Sequence, residues 1–147
     1  MADERADDSY AVARFGIHPL HAFLLAASVP LFLGAFLSDW AYSGSYEIQW
    51  SNFAAWLLPG GLVFAGFALL WALIDLLRAD RSWRGRPLIY FLVLLATWIV
   101  GFIDALVHAK DAWGKMPEAL ILSVIVTILS IAAAWLGFST RRSGEVR

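Results

Sequence analysis

The sequence predicts an all-α integral membrane protein: a four-helix bundle running up-down-up-down, with both termini in the cytoplasm. Two observations carry the fold class. Apolar residues make up 61% of the chain and charged residues only 16%, whereas a soluble domain is roughly 45–50% apolar and about 25% charged. A water-soluble helical protein of 147 residues needs polar outer faces, and this chain has too few charges to supply them. Four stretches also lack Asp, Glu, Lys and Arg altogether: residues 15–38, 48–74, 87–103 and 119–140. A helix needs ~20 apolar residues to span the hydrocarbon core of a bilayer, with ~17 as the short limit. All four stretches reach that length.

Composition also excludes several functions. The net charge is −1 and no basic stripe is present, so the chain lacks the electrostatic footprint of a nucleic-acid binder. With no cysteine there is no disulfide, no thiolate metal site and no thiol chemistry. The partner that composition does predict is the lipid bilayer. A homo-oligomer or another membrane protein is compatible with it.

Residues 1–16 form a polar tail, with Asp3, Glu4, Arg5, Asp7, Asp8 and Arg14. It is acidic where a signal peptide is basic, so the apolar run after it reads as a retained helix. The four-span domain covers residues 17–138. Its first helix is expected at about 19–38, opened by Pro19, whose missing N–H suits a first turn. Trp40, Tyr42, Tyr46 and Trp50 crowd the following loop, as amphipathic rings do at a membrane boundary. The second helix is expected at about 53–77, with Pro59-Gly60-Gly61 as a kink or close-contact point. An Arg-rich loop follows. The third helix is expected at about 87–108 and the fourth at about 117–138, opened by Pro117. Residues 139–147 form a basic tail.

Lys and Arg counts set the orientation. Arg5, Arg14, Arg78, Arg81, Arg84, Arg86, Arg141, Arg142 and Arg147 fall on one side, and Lys110 and Lys115 on the other. Nine against two puts the termini inside. The ends of the first and third helices then face outward.

Membrane helices pack through small and polar residues, because lipid offers no hydrophobic drive between them. Each helix shows one such stripe at spacings of three and four: His21, Leu25, Ser28, Phe32, Ala35, Asp39; Gly61, Ala65, Ala68, Ala72, Asp75; Leu94, Thr97, Gly101, Asp104, His108; and Ser123, Thr127, Ser130, Ala134, Gly137. These faces are expected inside.

Two polar clusters follow. The outer one gathers Asp39, Asn52, Asp104, His108 and Glu118. Asp104 and His108 are one helical turn apart and point the same way. Carboxylates with an imidazole can hold a divalent metal or relay protons. The plainer reading, which leads, is a set of hydrogen-bonded groups at the water line. The inner cluster gathers His18, His21 and Asp75, again with an interfacial structural reading ahead of a metal or ion-pair site. A haem held by His21 and His108 is excluded, because the two lie at opposite ends of parallel helices, roughly 25–30 Å apart. No phosphate-binding loop, nucleophile elbow or HExxH motif is present. No catalytic residue or cofactor is assigned, and the protein reads as non-enzymatic.

The order of features resembles a known family. His18-Pro19-Leu20-His21 leads into a helix ending Ser38-Asp39, Trp56 and Gly60-Gly61 sit early in the second, and Gly101-Phe102-Ile103-Asp104-Ala105 closes the third. This pattern is similar to the bacterial four-helix membrane family catalogued as domain of unknown function 2231, over roughly Ile17 to Phe138. The resemblance implies a bacterial inner-membrane protein of four spans and brings no activity or cofactor. His18, Asp39 and Asp104 are its marked positions. The expected function is a structural or accessory membrane component. The alternative is proton, metal-ion or small-solute handling through the outer cluster, with a metal at Asp39, Asp104 and His108. A third reading is a haem- or quinone-linked redox subunit.

Overall fold

The computed structural model describes residues 18–78, 85–110 and 114–139. Within them lie four α-helices and no strand: α1 Pro19–Ser45, α2 Ile48–Arg78, α3 Gly85–His108 and α4 Glu118–Ser139. All four are long and apolar enough to cross a membrane. The expected N-terminal tail, the basic residues past Ser139 and the Arg-rich segment 79–84 lie outside the described residues.

The helices pack in a ring. α1 lies against α2 and α4, and α3 completes the ring between the same two. Polar contacts also tie α1 to α3 across the bundle. Near the start of both helices, His21 Nε2 and the Tyr90 hydroxyl are hydrogen-bonded at 2.9 Å. Near their ends, His108 Nε2 meets Asp39 Oδ1 at 2.8 Å.

α1 opens as expected: Pro19 takes the first turn and His18 caps it, its Nδ1 accepting from the Leu20 N–H at 3.3 Å. The far end differs from expectation. α1 continues through Ser45, and Tyr46 stops it in the left-handed conformation (φ 55°), its N–H bonded to the Tyr42 carbonyl at 2.8 Å. Only Tyr46 and Glu47 separate it from α2. The expected loop over residues 39–52 is therefore almost wholly helix. Counting apolar residues ends a helix at its first charge, but Asp39 is buried and partnered, so the helix runs past it.

The stripes face inward. Every α1 and α3 stripe residue is buried, as are Gly61, Ala65, Ala68 and Ala72 of α2 and Ser123, Thr127, Ser130 and Gly137 of α4. Two positions depart: Asp75 is exposed, and Ala133 is buried more deeply than Ala134. The interior hydroxyls bond back to carbonyls of their own helices: Ser28 to Leu25 at 2.8 Å, Thr97 to Val93 at 2.8 Å and Ser130 to Thr127 at 2.8 Å. In hydrocarbon this satisfies groups that have no water to turn to. Thr127 also donates to the Phe32 carbonyl of α1 at 3.1 Å. Phe32, Leu25, Leu58 and Leu94 fill the middle of the core. The outer faces carry exposed Trp56, Trp135, Leu77 and Ile128. A monomer in water rarely leaves so much apolar surface bare, and a bilayer covers it.

Candidate functional site

The end of the bundle where α1 and α3 finish holds a buried polar cluster. Asp39 and Asp104 are both 0% exposed and His108 is 8% exposed. The 3.6-residue turn sets Asp104 beneath His108 on α3. It also places Asp39 on the α1 face that carries Ala35 and Phe32 into the core. The imidazole bridges the two helices. Its Nε2 meets Asp39 Oδ1 at 2.8 Å, and its Nδ1 lies 2.9 Å from the Asp104 carbonyl oxygen and 3.1 Å from Asp104 Oδ1. Both ring nitrogens thus face oxygen acceptors. One ring can satisfy both as an imidazolium, or as a neutral imidazole with the proton on Asp39.

The carboxylates are only partly satisfied. Asp39 Oδ2 and both side-chain oxygens of Asp104 accept no hydrogen bond among the described residues. Buried oxygens in that state are uncommon, and each calls for an explanation. One oxygen from each carboxylate and one His108 nitrogen all lie within 4.8 Å of one another.

A cation outside the spans faces this group. Lys115 lies in the short non-helical stretch before α4 and is 1% exposed. Its carbonyl accepts from the Ala119 N–H at 2.9 Å, which anchors it to the first turn of α4. Its Nζ donates to Ser51 Oγ of α2 and stands 5.2 Å from the centre of the Tyr42 ring. Burial pushes the Lys115 ammonium below the usual lysine range, while Asp39 and Asp104 pull it back up. With His108 protonated, two anions face two cations, and the cluster is neutral as a whole.

Sequence reasoning placed Asp39, Asp104 and His108 together, and these three do meet. Asn52 and Glu118 do not join them, since both are exposed at the surface. Ser51 and Lys115 were missed. Ser51 is one residue from Asn52, a rotation of about 100° around the helix, and that rotation turns it inward. Lys115 lies outside any helix, so no periodicity marks it.

A family model described as a predicted membrane protein, DUF2231, matches residues 17–146, nearly the whole chain. The chain belongs to that family. No curated protein and no solved structure matches it. The motifs that carried the resemblance include two residues of the cluster: Asp39 ends the Ser38-Asp39 signature and Asp104 closes Gly101–Asp104. In this DUF2231 chain the third marked position, His18, lies at the opposite end.

Among the described residues, that opposite end gathers aromatic rings around its histidines. His18 and His21 both pack on Trp71, with ring centres 4.8 and 5.7 Å away. His21 is buried and bonded to Tyr90, while His18 is exposed and caps α1. Asp75 points outward from α2. The two histidines and Asp75 therefore do not gather around one point, and Trp71 and Tyr90 stand in the places expected of a metal or an acid.

Proposed function

We propose that this DUF2231 protein is a multi-pass inner-membrane component that binds a small cation in a buried anionic site at its outer end. In this reading the bundle runs up-down-up-down with both termini cytoplasmic, as the Lys and Arg counts favour. The carrying observation is the pair of fully buried carboxylates, Asp39 and Asp104, which keep unpartnered oxygens beside one imidazole. Ionisable groups at membrane depth are costly, and they persist mostly where they handle charge. The filled middle of the core favours binding at one end over passage through the bundle. It joins the accessory role expected from composition with the ion-handling role expected from the outer cluster.

A purely structural cluster would hold the helices together and ignore solutes. Melting temperature in detergent separates the two, because a ligand that binds only the folded state raises it by mass action. The wild type and D104N are scanned across acidic to neutral pH, monovalent cations and divalent cations. At least one cation class is expected to shift the wild type and leave D104N unmoved. Identical responses across the whole panel would overturn the proposal.

A further inference from the structure

We infer that the cation is a first-row divalent transition-metal ion held by Asp39, Asp104 and His108, with Lys115 as the tethered charge that occupies the site's field when no metal is bound. This rests on the cation-binding reading above and names its ligand class.

The donor set comes first. Two carboxylate oxygens and one imidazole nitrogen suit zinc, iron or manganese. Calcium and magnesium prefer all-oxygen cages with more ligands. The geometry is near what such an ion needs. With metal–ligand distances of ~2.1 Å, a tetrahedral site sets its ligand atoms roughly 3.4 Å apart. Here the three ligand atoms lie within 4.8 Å of one another. Three protein ligands leave a fourth position for water.

The orientation of His108 is the second argument. A metal-bound histidine usually donates its other ring N–H to a backbone carbonyl or carboxylate, which fixes the ring. His108 Nδ1 does this with the Asp104 carbonyl at 2.9 Å. Nε2 is left facing the carboxylate of Asp39, and the second oxygen of Asp39 accepts no hydrogen bond among the described residues. An ion between Nε2 and Asp39 would take the place of the proton there and would engage the second oxygen of Asp39. Asp104 Oδ1 stands 3.1 Å from Nδ1, on the other edge of the ring, so a third ligand from Asp104 requires its carboxylate to turn toward Nε2.

Lys115 supplies the third argument. A lysine that is 1% exposed, outside the spans, with its ammonium on a serine hydroxyl and near a tyrosine ring, is an expensive way to close a helix end. Opposite two carboxylates it becomes a counter-charge. Metal and ammonium then compete for the same negative field. With the ion bound and Lys115 charged the cluster carries an excess positive charge, and without the lysine it is neutral.

The competition makes the inference testable by a gain. Purified, chelator-stripped protein is titrated with Zn²⁺ and with Mn²⁺ by calorimetry, and bound metal is counted by mass spectrometry after desalting. The wild type should bind one ion per chain, with Ca²⁺ and Mg²⁺ failing to displace it. D39N and D104N should lose that binding. K115M should bind about tenfold more tightly, the scale of removing one nearby unit charge in a partly screened site. Misfolding cannot produce tighter, stoichiometric binding, so K115M stands even if the aspartate variants fold poorly. Sub-stoichiometric metal in both the wild type and K115M, or K115M binding no tighter than the wild type, would overturn the inference. If protons or monovalent cations still shift the wild type alone, the cation-binding reading survives and only the metal falls.

Discussion

His108 is held on both sides by oxygen, and that sets the cost of removing either neighbour. In D39N or H108Q the remaining member keeps its desolvation and loses a charged partner. Each single variant is expected to lose about 2 kcal/mol in detergent unfolding. D39N/H108Q should lose less than the sum, because the second change removes the group that the first one orphaned. Additive losses would mean the two side chains do not act as a pair. At this scale the sequence was legible where chemistry repeats with the helix. Asp104 and His108 lie one turn apart on an apolar segment, and Asp39 lies on the stripe of α1. It was not legible where the phase of a helix had to be known first. The inward turn of Ser51 depends on α2 starting at Ile48, and nothing in the residues before Ser51 announces that start. Lys115 looks like an ordinary loop charge until the fold buries it.

The small-residue stripes make close helix contacts, and adjacent glycines show how sharply. A Cβ on Gly61 would lie 2.7 Å from the ring of Phe32, which is itself fully buried. A Cβ on Gly60 would meet Leu31 at 3.6 Å, an ordinary contact. G61A is therefore expected to destabilise by about 1–3 kcal/mol through overpacking. G60A should be neutral or stabilising by up to about 1 kcal/mol, since alanine favours helix over glycine. Equal effects in unfolding titrations would contradict the close approach of α1 and α2. Spacings of three and four made these faces readable without a structure. Helix ends were less readable, because an apolar count stops at the first charge. A charge whose partner is 69 residues away gives no local sign that it belongs inside.

For the whole molecule, the orientation proposal is checked by reporter fusions. Fusions at Glu47, between α1 and α2, and at Arg84, between α2 and α3, should report opposite sides of the membrane, with Arg84 cytoplasmic. Agreement between the two reporters would break the four-span arrangement. Four helices apolar enough to span a membrane were legible from the four separate charge-free runs, each long enough to cross the hydrocarbon core. The wiring of the polar cluster has a further consequence for how the chain is made. Asp39 comes from α1, Ser51 from α2, Asp104 and His108 from α3, and Lys115 from the approach to α4. Translation at ~5–20 residues per second separates Asp39 from His108 by roughly 3–14 s. During that interval Asp39 is without the imidazole it meets in the finished bundle. The arrival of α3 supplies the imidazole, and the approach to α4 supplies the ammonium. The cluster thus cannot be complete until the chain has been made through Lys115, after three of the four helices and before α4, whose Thr127 bonds the Phe32 carbonyl of α1.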